Sequence, residues 1–259
     1  VKLSKHHEAL TLVDEALEEY PKKIQLLEFK IKLLIAKNDL PNALLLLEEL
    51  YETGNATDEL ALLLGQSQLG VTELDKAQLV VDQLLLSKPE HPVYLSLSAG
   101  IDLQKGQVDK AKYKLEKAIK LSPNILQLYV NLHYVYLEQR EFKLASTILI
   151  QAYQISPDET FLLEKLASLA EKIHNIDIAK NWREKLYELQ PDDLHNLVRL
   201  ADVLLKLKKN DEALELLLVH RKDYRLEPQF LSRLATAYVE LKQCNEAGSL
   251  LGMLFNLSL

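Results

Sequence analysis

Alanine recurs along this chain at a fixed interval of 34 residues, and this interval restricts the fold more than any other feature of the sequence. The series runs without a gap through eight positions: Ala9, Ala43, Ala77, Ala111, Ala145, Ala179, Ala213 and Ala247. A proline series follows the same period at Pro21, Pro89, Pro123, Pro157 and Pro191. Self-similarity with a period of roughly 20–50 residues is typical of proteins that stack one small unit many times. The sequence therefore predicts a repeat architecture.

Each period contains two stretches with helical periodicity, and residues 126–159 illustrate both. The first stretch ends at Gln139 and has apolar or aromatic residues at i, i+3, i+4 and i+7: Tyr129, Leu132, His133 and Tyr136. This spacing is typical of a helix with one buried face. After a turn at residues 140–141, the second stretch runs to Ile155 and is predicted to bury Phe142, Ala145, Leu149 and Ala152. Pro157 then ends it, because proline disfavours helix in the residue before it.

The composition supports helices throughout. Only seven glycines and eight prolines occur in 259 residues, and 48% of the chain is hydrophobic. The abundant Leu, Lys, Glu and Ala are strong helix formers. A second series of small residues falls on the first helices at Gly65, Ala99, Ala167, Ala201 and Ala235, and is broken by Ile31 and His133. Small side chains at matching places on two helices allow close approach. The sequence predicts an all-α fold of antiparallel helix pairs.

A 34-residue helix–turn–helix with two small-residue positions and a terminal proline resembles the tetratricopeptide repeat. The resemblance covers the chain as one array: a leading helix at 1–21, then repeats at 24–57, 58–91, 92–125, 126–159, 160–193, 194–227 and 228–259. It implies a right-handed α-α superhelix whose first helices line a concave groove. Pentatricopeptide units, at 35 residues, and the longer, glycine-richer Sel1-like units fit less well.

The register predicts which residues face this groove. The stripe opposite the core begins with the apolar Phe29, Leu63 and Leu97 and continues with Asn131, Tyr134, Lys165, Arg199 and Arg233. Asn131, Lys165, Arg199 and Arg233 hold one repeat position, which in the family often contacts ligand. The family's clamp for a terminal carboxylate is incomplete, since its other places hold Ser96, Gly100 and Phe161. We expect a peptide or partner helix with an apolar and an acidic portion. The alternative is that the cations pair with Asp202, Glu164 and Glu171.

Catalytic and cofactor motifs are not found. The seven histidines form no HExxH motif and no i, i+4 pair, and the glycines form no phosphate-binding loop, so neither a metal nor a cofactor is expected. The formal net charge of −7 disfavours nucleic acid as a partner. Cys244 is the only cysteine, which fits a reducing cytoplasm. Burial of Cys244 is expected because other repeats have apolar residues at its position: Leu40, Leu74, Val108, Phe142 and Ile176.

The sequence thus predicts a non-catalytic scaffold for protein partners in a larger assembly, with a bacterial secretion, envelope or polysaccharide context favoured on composition. A regulatory or targeting domain of a longer enzyme is the alternative, and RNA binding is a third. The first unit is incomplete and the last segment, residues 250–257, is apolar on most sides. Repeat arrays normally end in a polar cap. The chain is therefore expected to be a fragment of a longer array or to self-associate through its ends. A cytoplasmic location is expected, or a periplasmic or membrane-anchored one if a leader precedes Val1.

Overall fold

The computed structural model describes residues 2–257, with side chains from Glu8 onward, and this part of the chain forms fifteen α-helices and no strand. The helices are α1 Lys2–Glu19, α2 Ile24–Ala36, α3 Leu40–Glu52, α4 Asp58–Gly70, α5 Leu74–Ser87, α6 Pro92–Gln104, α7 Val108–Leu121, α8 Leu126–Glu138, α9 Phe142–Ile155, α10 Thr160–Lys172, α11 Ile176–Leu189, α12 Leu194–Lys206, α13 Asn210–Val219, α14 Pro228–Glu240 and α15 Cys244–Leu257. The predicted all-α helical repeat fold is confirmed.

The even-numbered helices from α2 to α14 are the first helices of the repeats, and the odd-numbered helices from α3 to α15 are the second helices. Each first helix begins 34 residues after the previous one, from Ile24 in α2 to Pro228 in α14. The described chain divides into two compact units at Gln139, with α1–α8 in unit 1 and α9–α15 in unit 2. The assignment of 1–259 to a single array stays a prediction.

A left-handed residue follows every first helix, again with a 34-residue period. These residues are Asn38, Thr72, Gly106, Arg140, His174, Lys208 and Lys242, with φ between 56° and 75°. The next amide donates back to a carbonyl five residues earlier, as from Asp39 N to Leu34 O at 2.8 Å and from Gln107 N to Asp102 O at 2.8 Å. This is the Schellman pattern, which satisfies carbonyls left open at the helix end. It turns the chain sharply into the second helix.

The periodic alanines lie where paired helices meet. Seven of the eight, from Ala43 to Ala247, are buried, and six of these have no exposed surface. On the first helices, Gly65 makes the same kind of contact. A Cβ atom added there would lie 2.8 Å from Cδ2 of Leu97, too close for ordinary packing. The steric reason for small residues at this spacing is therefore visible in the packing.

Within each unit the core is made by first and second helices of adjacent repeats. In unit 1, α4 contacts α6 and α6 contacts α8, and in unit 2, α12 contacts α14. Each second helix also contacts the next first helix, as α5 contacts α6 and α11 contacts α12. No helix in the described part of the chain is long and apolar enough to cross a membrane.

Two burial predictions need correction. Phe142 is only partly buried, whereas Ala145, Leu149 and Ala152 of the same helix are buried as predicted. Cys244 is exposed rather than buried. One of its equivalents, Ile176, packs against a cluster that includes Val203 of the following first helix, α12. Within the described residues no helix follows α15, so Cys244 lacks this cover.

Candidate functional site

The predicted groove residues of unit 1 differ in their accessibility. Phe29 on α2 is 50% exposed and Leu63 on α4 is partly buried. Leu97 on α6 is a correction, because it is buried and packs in the core with Ala77, Val81 and Ile101. Its side chain fills the space that the missing side chain of Gly65 leaves open. Leu97 is therefore not available to a partner.

Asn131, a predicted groove residue of unit 1, is held by one hydrogen bond between first helices and one within its own helix. Asn131 on α8 donates from Nδ2 to Ser96 Oγ on α6 at 2.8 Å and accepts from Gln127 Nε2 at 2.8 Å. Tyr134, one turn further along α8, is 43% exposed and meets the ring of His133 edge-on at 5.4 Å. Asn131 thus has a fixed amide and Tyr134 an accessible ring.

Three cations lie at the equivalent repeat position in unit 2, one on each first helix. Lys165 on α10, Arg199 on α12 and Arg233 on α14 are all partly exposed. Arg199 Nη2 is 3.0 Å from Glu171 Oε2, and Arg233 forms an ion pair with Asp202. These two arginines are therefore already paired with carboxylates that the sequence had suggested as partners.

The carboxylate that holds Arg199 is itself part of a buried network around Arg183. The Arg183 side chain on α11 has no exposed surface, yet it carries a charge. Its Nε donates to Glu171 Oε1 at 2.9 Å, and its Nη2 donates to Glu164 Oε1 at 3.0 Å. Asn196 on α12 is also fully buried and donates from Nδ2 to the Arg183 carbonyl at 3.1 Å. The network joins α10, α11 and α12 and ends at the half-exposed guanidinium of Arg199.

Ionisation of Glu164 reflects this network. Burial raises the pKa of this carboxyl, but the hydrogen bond from Arg183 and its positive charge outweigh burial, so the pKa of Glu164 lies below its usual value. Ser168 adds to this by donating to Glu164 Oε1 at 2.8 Å. The carboxylate is thus charged at neutral pH and pairs with Arg183.

The sequence prediction did not identify Arg183, although the repeat register contains the signal. Every other complete repeat has a buried apolar residue at this position: Leu47, Val81, Leu115, Leu149 and Leu217. Glu171 and Asn196 likewise replace residues that are apolar in the other repeats, such as Leu137 and Leu162. A single arginine in a helical pattern is usually predicted to be solvent-exposed. Three polar residues replacing core residues together indicate a network.

Arg199 and Arg233 keep donor groups for a ligand on this face of unit 2. Each guanidinium has N–H groups beyond those used in its ion pair with Glu171 or Asp202. These N–H groups can donate to an acidic group of a ligand. Within the described residues, no group of three or more His, Cys, Asp or Glu side chains is placed to hold a metal ion.

Comparison with known proteins gives one family. The sequence model described as the tetratricopeptide repeat matches residues 77–228, more than half of the chain. Comparison with curated proteins gives no significant match.

Solved structures similar to this chain share its fold at low sequence identity. A thermophilic repeat protein of Thermus thermophilus is 23% identical, with a TM-score of 0.59 over 70% of this chain and 98% of its own. PilF of Pseudomonas aeruginosa is 17% identical, with a TM-score of 0.57 over 74% and 88% of the two chains. YrrB, described as a repeat protein with an unusual peptide-binding site, is 15% identical, with a TM-score of 0.56 over 68% and 91%.

Proposed function

Because this chain belongs to the tetratricopeptide repeat family, we propose that it is a scaffold that binds a peptide or helix of a partner protein on its first helices. Repeats of this kind bury their apolar faces by stacking and leave extended surfaces for protein partners. Membership of this family supports a role in protein–protein interaction in general. YrrB, which shares the fold, has a peptide-binding site.

The observation that carries the proposal is the position of Arg199. Its guanidinium is 40% exposed, and Glu171 holds it in place from a site that is only 9% exposed. Glu171 is fixed in turn by the fully buried Arg183. A guanidinium held this way loses little conformational entropy when it binds a ligand carboxylate in a bidentate manner. We therefore propose that unit 2 binds an acidic segment of the partner through Arg199, Lys165 and Arg233.

An accessible aromatic ring on a first helix of unit 2 supplies the apolar part of the proposed recognition. Phe161 lies on α10 with Lys165 and is 40% exposed. Aromatic side chains contribute large contact areas at interfaces at low entropic cost. We propose that the partner segment carries apolar residues beside its acidic ones.

A peptide array tests this proposal with the intact chain. The wild-type protein is screened against peptides in which acidic, basic and apolar residues are varied, and affinities of the selected peptides are measured by fluorescence anisotropy. We expect selection of acidic–apolar peptides, and a loss of at least about tenfold in affinity for a Lys165→Glu, Arg199→Gln variant, about 1.4 kcal/mol. Lys143→Glu on the second helix α9 is the matched control. Equal affinity of the wild type and the double variant would refute the proposed site.

We also propose that the chain associates with itself through α15. Leu251, Met253, Phe255 and Leu257 on this helix are 39% to 66% exposed. Exposed apolar surface of this kind is typical of interaction sites.

A further inference from the structure

A cleft between the second helices α9 and α11 is separate from the surface formed by the first helices. It has a volume of about 550 Å³ and is lined by Ile150 from α9 and by Ile178 and Trp182 from α11. Ile178 is 45% exposed, so its side chain is accessible from the cleft. Small-ligand sites are typically concave and mostly apolar, with a few polar groups, and have volumes of roughly 300–1,000 Å³. The cleft has this character.

Trp182, which lines the cleft, already holds a cation together with the neighbouring ring of Tyr153. The rings of Tyr153 and Trp182 meet edge-on, with centroids 5.2 Å apart. The Lys185 ammonium lies 4.9 Å from the Trp182 centroid and 5.1 Å from the Tyr153 centroid. It also donates to the Tyr153 hydroxyl at 3.3 Å. The ring faces are therefore oriented to accept positive charge.

The charges on the rim are incompletely matched. Glu184 is neutralised by Lys180 at 2.6 Å. Glu188 also lines the cleft but has no ion-pair partner among the described side chains, and Lys185 likewise has no carboxylate within 4.0 Å. Lys185 thus contacts the aromatic rings but does not pair with the carboxylate of Glu188.

We propose that this cleft binds an arginine side chain of a partner protein, which displaces Lys185 from Trp182 and pairs with Glu188. A guanidinium can stack flat on an indole ring and present N–H groups at its edge to a carboxylate at the same time, whereas an ammonium acts as a point charge. Lys185 is exposed and can swing into solvent. The site is distinct from the proposed acidic-segment site on the first helices.

The other residues that line the cleft also favour an arginine side chain. Asn181 supplies an amide oxygen that can accept from a guanidinium, and Ile150 and Ile178 provide apolar surface for the methylene stem of an arginine. An anionic side chain could pair with Lys185 but would gain nothing from the aromatic ring faces, which favour positive charge. The aromatic rings together with Glu188 therefore favour a cation.

Trp182 is the only tryptophan of the chain, so its fluorescence reports on this cleft alone. The probe is Nα-acetyl-arginine amide, titrated at constant ionic strength into the full chain. We expect a saturable change in Trp182 emission. The citrulline analogue, which has nearly the same shape without the charge, is expected to give no saturable change, and the lysine analogue a weaker one.

Variants of the cleft separate binding from nonspecific quenching. Lys185→Ala removes the competing cation and is expected to tighten arginine binding about two- to fivefold, the value of an exposed cation–π contact. Glu188→Gln is expected to weaken binding about two- to fivefold, as for an exposed ion pair. Lys206→Ala on α12, outside the cleft, is the matched control and should leave the affinity unchanged. Circular dichroism verifies that each variant is folded.

Three outcomes would overturn the proposal. The first is the absence of a saturable response to the arginine probe in both the wild type and Lys185→Ala, which would leave Lys185 as the only occupant. The second is an equal response to the citrulline analogue. The third is a saturable response to sodium acetate, which would assign the cleft to anions.

Discussion

Position 183 shows how one residue changes the character of a whole repeat. A fully buried arginine stands where the other complete repeats have Leu or Val, and Glu171 and Asn196 replace apolar residues beside it. Burying charge costs several kcal/mol per ion unless the charges are paired and hydrogen-bonded. Glu171 and Glu164 supply the pairing here. The network thus adds little net stability of its own, but each member depends on the others.

Replacing Arg183 alone should therefore lower the free energy of unfolding much more than replacing Arg183, Glu171 and Asn196 together. Arg183→Leu leaves the nearly buried Glu171 with only Arg199 as a partner and Glu164 with none of its arginine hydrogen bonds, so we expect a loss of roughly 3 kcal/mol. The triple variant Arg183→Leu, Glu171→Leu, Asn196→Leu has the residues of the preceding repeat at these three positions and leaves only the partly exposed Glu164 without its arginine, so it should be clearly more stable than Arg183→Leu and close to the wild type. Urea unfolding measures both.

The single and triple variants serve as controls for each other, because both lose Arg183. If Arg183→Leu is as stable as the wild type, the buried charges are not coupled as the distances indicate. If the triple variant is the least stable of the three proteins, the network contributes net stability of its own.

At the scale of the helices, the turn inside each repeat combines a fixed geometry with variable residues. The seven left-handed positions carry Asn, Thr, Gly, Arg, His, Lys and Lys. Only one is glycine, the residue that adopts positive φ without steric cost. Thr72, at φ 64°, is the most strained, because a β-branched side chain rarely occupies this region. The strain is tolerated because the paired helices on either side fix the turn.

Exchanging residues at two of these turns should change stability in opposite directions. Thr72→Gly relieves a left-handed strain of about 1–2 kcal/mol and adds unfolded-state entropy worth about 0.5–1 kcal/mol, so a net gain of roughly 0.5–1 kcal/mol is expected. Gly106→Ala should cost about 1 kcal/mol. An added Cβ at Gly106 meets no atom within 4 Å, so this cost is purely conformational. Thermal unfolding of both variants provides the measurement, and a destabilised Thr72→Gly would contradict the strain argument.

The same turns show what the sequence could and could not predict. The alanine period and the apolar spacing predicted the helices closely, as for α9 at Phe142–Ile155, because stacking depends on repeating small contacts. Left-handed turns at Lys208 or Arg140 could not be read from those residue types, since tertiary packing imposes them. Leu97 was predicted on the groove, but the absence of a side chain at Gly65 draws it into the core. Burial of a residue depends on its neighbours in the next repeat as well as on its register.

At the scale of the whole molecule, the apolar surface of α15 is the basis of the proposed self-association. Ala247 and Leu250 face the core, while Leu251 and Phe255 lie one turn apart on the outer side. Gly248 and Gly252 lie beside them, and an added Cβ at either would meet no atom within 4 Å. The backbone of α15 is therefore open to close approach. A helix–helix contact at this face would bury aliphatic and aromatic side chains that are now exposed to water.

A lysine on this face should disrupt such association. We expect the wild-type chain to form reversible oligomers as its concentration rises, because burial of apolar surface drives assembly. Leu251→Lys should shift the chain toward the monomer, since an ammonium in the interface is costly to desolvate. Leu79→Lys on α5, where the leucine is 69% exposed, makes the same chemical change away from α15 and should not alter the association.

Sedimentation velocity over a range of concentrations distinguishes these cases. A wild-type chain that stays monomeric throughout, or an equal effect of both lysines, would contradict an interface on α15. Concentration-dependent growth without a fixed stoichiometry would indicate heterologous contacts, while a single dimer would indicate a symmetric pair of α15 helices.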